Sequence, residues 1–220
     1  MNRILLRRLA LLVAAAVALT GCSSGAGERQ PGATVSAAAP VADLDDFGDI
    51  LLGLDDIRRV AGDETLTGAP EMLDPKRSVD ADGGVAGAPP ECAHNLGEAA
   101  RFGASWRVIG WFPVFGANHG GNRGALWLAL YADAAEARRV FDAYVSMVDA
   151  CAATGQIAYP GSVKRIDEDT VAFCYRGDCV NTYRVTANAV METSAFEFGD
   201  DEKVAAAWAQ EMSDRIGRRW

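Results

Sequence analysis

The chain has 220 residues, of which 50% are hydrophobic, 23% charged and 8% aromatic, and its formal net charge is −9. That length allows one domain with a substantial core, and the composition excludes wholesale disorder, collagen-like repeats and a multi-span membrane protein. The acidic balance argues against nucleic acid as a partner, because phosphate binding needs a clustered excess of Lys and Arg.

At the N-terminus, Arg3, Arg7 and Arg8 precede an unbroken apolar run from Leu9 to Leu19, followed by Thr20, Gly21 and Cys22. Residues 1–21 read as a secretory signal peptide, since the apolar run is too short to cross a bilayer with margin. The Leu19-Thr20-Gly21-Cys22 ending resembles a bacterial lipobox. There a diacylglycerol is attached to the Cys22 sulfur and cleavage makes that Cys the first residue; a coincidental Cys after an ordinary signal peptide is the alternative. Cleavage takes three Arg from the 21 basic residues, leaving 18 against 30 acidic ones, a formal −12. Such a body is repelled by an anionic bilayer. The lipid on Cys22 is therefore the expected anchor, on the outer side of the cell membrane. Residues 22–42 are low-complexity and read as a tether with an r.m.s. span of roughly 25 Å.

A domain is expected over 43–220. Phe47, Ile50, Leu51, Leu54, Ile57 and Val60 recur at helical spacing, with Asp55 as a candidate cap and Gly62 as the stop. Residues 63–90 are rich in Gly and Pro without periodicity and read as a long loop. Two alternating stretches, Ser105 to Phe112 and Gly124 to Tyr131, predict strands joined by a Gly-rich turn. Asp133 to Cys151 predicts the clearest helix, with Asp133 and Glu136 as a capping box and one apolar face. Strands over 170–175, 179–185 and 190–198 follow, joined by tight turns, and a last helix starts near Asp200 and buries Val204, Trp208, Met212 and Ile216. Consecutive hairpins with segregated helices give an α+β class: an antiparallel sheet with helices packed on one face.

The second face of that sheet carries the candidate site. Leu126, Leu128 and Leu130 point one way, towards the helices, while Trp127, Ala129 and Tyr131 point the other; Ile109 and Trp111 share a face with Arg107. Large apolar groups on both faces require a covering segment or expose a binding surface. Trp111, Trp127 and Tyr131 are the candidate walls of a ligand cleft and Arg107 its polar contact.

Without Cys22, four cysteines remain in an exported chain, an even number in an oxidising compartment. If Arg176-Gly177 is a two-residue turn, Cys174 faces Cys179 at a non-hydrogen-bonded site, with Cα atoms about 4.5 Å apart, close enough for a disulfide. Cys92 and Cys151 are left for each other. Closing that loop of roughly sixty residues contributes about 4 kcal/mol, and the short loop about 2. A four-cysteine zinc site is the rival, but Cys92 and Cys151 lack the close partners of zinc knuckles, and no metal is expected.

Catalytic signals are weak. His94 and His119 lie outside any nucleophile elbow, and no Gly-x-Ser-x-Gly occurs. The glycines of 116–124 lack the Lys-Ser/Thr ending and the following helix of a phosphate loop. Asp167-Glu168-Asp169 reads as a solvated turn and not a calcium loop, and Arg176-Gly177-Asp178 as a turn and not an adhesion motif. No catalytic residue and no cofactor are expected.

The order of features resembles a known family. A Leu51-Leu52-Gly53-Leu54 entry, Pro90-Glu91-Cys92, an aromatic strand, Tyr131 before a long helix carrying Cys151, Cys174 and Cys179 on a hairpin, and Trp208 in a terminal helix are similar to the extracellular sensor domain of the mycobacterial serine/threonine kinase PknH. That domain also occurs alone in mycobacterial lipoproteins, and the resemblance spans about residues 43 to 217. It implies an α+β domain with first-to-second and third-to-fourth disulfides, Cys92–Cys151 and Cys174–Cys179, and a ligand cleft without established catalysis. The chain departs in having no kinase domain or transmembrane helix, which implies no direct phosphorylation output. Its short Cys174–Cys179 loop also departs, at one end of the cleft. The expected function is a membrane-anchored, non-enzymatic domain binding an envelope lipid, glycan or small molecule; a module docking on another envelope protein is the alternative.

Overall fold

The computed structural model describes residues 41–69, 71–72 (backbone only), 89–92, 97–117, 121–155, 162–175 and 177–218. The residues read as signal peptide and lipobox, most of those read as a tether, and His94, His119 and Arg176 lie outside these residues. Among the described residues no helix is long and apolar enough to cross a membrane.

The described residues form five helices and seven strands: α1 Phe47–Ile50, α2 Leu54–Ala61, β1 Glu71–Met72, α3 Glu98–Phe102, β2 Val108–Phe115, β3 Arg123–Leu130, α4 Ala134–Ala152, β4 Ser162–Arg165, β5 Thr170–Tyr175, β6 Asp178–Thr186, β7 Ala189–Phe196 and α5 Asp201–Arg218. The strands make one sheet in the order β1-β2-β3-β7-β6-β5-β4, antiparallel throughout. The class is α+β, as expected, and both disulfides form, Cys92–Cys151 and Cys174–Cys179. Cys174 pairs with Cys179 across the hairpin with Cα atoms 3.8 Å apart, and Gly177 supplies the positive φ of the turn at 99°.

The expectation of helices on one face is corrected. Leu126, Leu128 and Leu130 pack with Ala189, Met191 and Ala195 against α1, α2 and the Ala205, Trp208, Met212 and Ile216 stripe of α5. Ile109, Trp127, Ala129, Tyr131, Val185 and Val190 pack on the opposite side against Phe102 of α3 and the Val140, Phe141, Tyr144 and Val148 stripe of α4. Alternation along a strand sends successive side chains to opposite faces, so a strand apolar at every position needs a cover on both sides. A helix pair supplies the second cover, where a loop or an open surface was expected.

Other boundaries shift for local reasons. The Phe47–Val60 run is two helices broken at 51–53, and Gly53, not Asp55, is the N-cap residue of α2; Gly62 closes it in the left-handed region at φ 69°. Part of the presumed loop 63–90 joins the sheet, as β1 pairs with β2 and Thr67 bridges Phe115. Ala42 is already fixed: its N–H donates to Asn188 Oδ1 and its carbonyl accepts from Asn188 Nδ2, both at 2.8 Å. Asp133 caps α4 by accepting from Glu136 N at 2.9 Å, while the Glu136 carboxylate turns to Arg139 and Ser105. The Asp167–Asp169 run forms the turn between β4 and β5, where Asp169 pairs with Arg138. β7 ends at Phe196 because Glu197 adopts φ 68° and Asp201 accepts the N–H groups of Glu197 and Phe198.

Trp208 is fully buried, donates Nε1 to Ile57 O at 3.2 Å and brings its ring edge beside Gly124. A Cβ on Gly124 would stand 2.2 Å from Ser194 O and 3.0 Å from the Trp208 ring. Gly124→Ala should therefore cost about 2 kcal/mol, read as a fall in Tm of about 5 °C. Hydrogen bonds from Arg139 and Ser105 hold the Glu136 carboxyl at about 2 against an ordinary 4.5. A depressed carboxylate stabilises fully above its unfolded value and loses that contribution as pH falls towards 2. Glu136→Gln should flatten the stability–pH curve between about pH 4.5 and 2, measured by thermal unfolding across that range.

Candidate functional site

The helices of the second face cover only part of it. In register, Ile109, Ala129, Val190 and Val185 lie side by side under α3 and α4, and the next row is Trp111, Trp127, Glu192 and Tyr183. The row after that, Ala125, Ser194 and Asn181, reaches a cleft of about 180 Å³ lined by Arg101, Trp127, Tyr144, Asn181, Glu192, Ser194 and Phe196. The cleft thus begins where the helical cover stops, in the middle of the sheet.

Two of its residues carry opposite charges. Arg101 Nη1 donates to Glu192 Oε2 at 2.8 Å, with the two side chains only 15% and 5% exposed. The guanidinium also stands over the Trp127 ring at 4.8 Å and the Phe102 ring at 5.5 Å. Burial works most strongly against the Arg101 charge, but the Glu192 carboxylate, Tyr144 and Glu98 together hold the guanidinium above its ordinary range. Asn181 Nδ2 donates weakly to Glu192 Oε1 at 3.5 Å. Arg101 Nε and Asn181 Oδ1 are buried without a hydrogen-bond partner, a cost of about 1–3 kcal/mol each unless something else satisfies them.

Arg101 is placed by α3, a five-residue helix bracketed by Gly97 and by Gly103 at φ 62°. The helix hangs from the sheet by its carbonyls. Tyr131 OH donates to Phe102 O at 2.7 Å, and Tyr183 OH donates to Arg101 O. Burial raises both phenols above their ordinary 10, so they remain neutral donors. The Cys92–Cys151 bridge pins the chain before α3 to the end of α4.

The four residues expected to form the cleft are dispersed. Trp127 is in it, only 9% exposed and stacked on Trp111 at 5.1 Å and on Phe102 at 5.8 Å. Trp111 is half-buried behind Trp127, one strand nearer the edge. Tyr131 is not a wall: it is fully buried and its hydroxyl is spent on α3. Arg107 is exposed at the start of β2, four residues or about 13 Å along the strand from Trp111, so it is not the polar contact of this cleft. Arg101 and Glu192 take that part. Glu192 was legible as the one carboxylate at an inward position of its strand, on the same face as Val190. Arg101 was not, because α3 has no periodic signal.

A second concavity of about 430 Å³ lies on the α1–α2 side, lined by Phe47, Gly48, Leu51, Leu52, Leu54, Ala69 and Phe112 among others. It holds no charged side chain.

No protein-family model matches the sequence, and no curated protein matches it either. Among solved structures, the chain is similar to the crystal structure of the extracellular domain of PknH from Mycobacterium tuberculosis. The TM-score is 0.58 at 15% identity, over 81% of this chain and 98% of that one. The likeness is one of fold. It leaves the roles of individual residues to the geometry above.

Because Trp127 packs against Phe102, Trp111 and the Arg101 guanidinium, Trp127→Ala should cost about 3 kcal/mol of stability; that loss, read by denaturant unfolding, exceeds any effect confined to binding. Tyr131→Phe strands the Phe102 carbonyl and should cost about 1 kcal/mol, with faster amide exchange confined to 98–103 as the local readout.

Proposed function

We propose that this chain is an exported, lipid-anchored domain that binds a small polar component of the cell envelope and performs no chemistry on it. The Arg101 cleft is the binding site. The observation that carries this reading is the Arg101–Glu192 pair, nearly buried yet facing a cleft. Moving two charges out of water costs several kcal/mol per ion, and hydrophobic replacements often stabilise a fold as well or better. A pair kept at the floor of a cleft, with two further polar atoms unsatisfied beside it, is suited to recognition.

Size supports a polar group over a lipid tail, since 180 Å³ is well below the roughly 300 Å³ at which drug-sized pockets begin. A binder is also favoured over an enzyme. Ser194 Oγ, the aliphatic hydroxyl among the lining residues, accepts from Ala125 N at 3.1 Å, whereas a nucleophile needs a base to take its proton. The lipobox at Cys22 and the signal peptide support the membrane anchor, and the two disulfides support an oxidising compartment.

The test is mass spectrometry of the mature chain, exported from a mycobacterial host and purified in mild detergent, after release of any co-purified molecule. The expected result is a polar molecule near one per chain, absent from an Asn181→Leu variant that melts within about 2 °C of the parent. An empty chain would contradict the reading. So would an acyl compound kept by Asn181→Leu and lost from Gly48→Leu, which fills the apolar concavity at a position where a Cβ meets nothing within 4 Å.

A further inference from the structure

We infer that the ligand of the Arg101 cleft is electrically neutral and rich in hydroxyls, the terminal hexose of a glycan. This rests on the reading of that cleft as a ligand site and adds the chemistry the site selects.

The charge balance decides first. Arg101 and Glu192 are the two charged residues lining the cleft, and they cancel each other across 2.8 Å. An anionic ligand would compete with Glu192 for the guanidinium and leave a carboxylate that is 5% exposed without its cation. A cationic ligand would compete with Arg101 and meet its charge at short range. Either exchange breaks a buried pair, which is far more costly than leaving it intact. The cation near the rim is occupied too: Arg123 pairs with Glu197 at 2.7 Å and stands over the Phe196 ring at 5.4 Å.

Polarity then excludes an apolar guest. An acyl group would cover a guanidinium, a carboxylate, an amide and a hydroxyl without hydrogen-bonding any of them. A ligand group must instead donate and accept within one ring's width. Arg101 offers its unpartnered Nε–H and Asn181 its unpartnered Oδ1, on opposite sides of the shared Glu192. A vicinal diol does both at once, because each hydroxyl is a donor and an acceptor. Both atoms are covered in this structure, and small rotations of the two side chains are required to bring them to the guest. Phe196, half-buried with Arg123 over one face, is the apolar surface left for the ring's C–H side, since Trp127 is already covered by Arg101, Trp111 and Phe102. Space for little more than one ring makes this a site for a chain end.

The experiment is calorimetric titration of the full-length chain, exported and held in a sugar-free detergent. The probes are the methyl pyranosides of glucose, mannose and galactose, methyl glucuronide as the anionic counterpart, glucosamine as the cationic one, and 1-hexanol as the uncharged apolar one. At least one neutral hexoside should bind at least about tenfold more tightly than either charged analogue, and 1-hexanol should give no heat. Asn181→Leu should weaken the hexoside about tenfold, the worth of one lost hydrogen bond. Glu192→Gln, which leaves the Arg101 charge uncancelled, should raise glucuronide binding to or above that of the neutral sugar. If Glu192→Gln fails to fold, the wild-type ranking and Asn181→Leu decide alone.

Tighter binding of glucuronide or glucosamine to the parent chain overturns the inference. So does failure of every hexoside while the chain still co-purifies with a polar molecule lost in Asn181→Leu, a result that spares the ligand-site reading. Failure of every probe together with an empty purified chain overturns both.

Discussion

The constraint on which the structure depends is a sheet whose central strands are apolar on both faces. On β3, Leu126, Leu128 and Leu130 demand one cover and Trp127 and Ala129 another. A sheet of this kind cannot leave a face to water without exposing a large apolar patch. The long α5 covers the first face, with α1 and α2 filling beside it. The second face receives α4 and the five-residue α3. The strip beyond them, carrying Ser194, Asn181 and Phe196, is where side chains turn polar and the cleft opens. Cleft and core are thus two ends of one face.

A helix as short as α3 has little stability of its own. Phe102 buries its ring between Trp127 and Tyr183, two tyrosines hold its last carbonyls, and the Cys92–Cys151 bridge restrains the chain that leads into it. This suspension sets Arg101 over Trp127 and against Glu192. The fold thus fixes the Arg101–Glu192 contact, and on the proposed reading a guest has only small side-chain adjustments left to order. The same arrangement leaves Arg101 Nε and Asn181 Oδ1 unsatisfied, as Trp106 Nε1, Thr182 Oγ1 and Arg184 Nε are elsewhere, while the buried Thr193, Asn188 and Trp208 have partners.

Much of the fold was legible because its long elements repeat strongly. The α4 and α5 stripes, the β3 alternation and the hairpin of β5 and β6 all follow from periodicity and turn residues, and the disulfide pairing follows from the hairpin. What escaped is short or two-sided. The β1 and β4 strands, of two and four residues, carry too little pattern to announce themselves, and α3 is defined by two glycines and its tertiary contacts. The site was half legible for the same reason. Trp127 follows from strand parity, but which aromatic groups are walls and which are core depends on how far α3 reaches over the sheet. That reach buries Tyr131 and leaves Arg107 outside.

The central claim is that the Arg101–Glu192 pair serves the cleft and not the fold. The direct test is the thermal stability of Arg101→Met/Glu192→Leu beside Glu192→Ala, both without added ligand. The account predicts that Glu192→Ala, which orphans a buried cation, loses about 3 kcal/mol, while the double replacement melts at or above the parent temperature. A double variant that melts as low as Glu192→Ala would mean that the pair is structural, and would contradict the account.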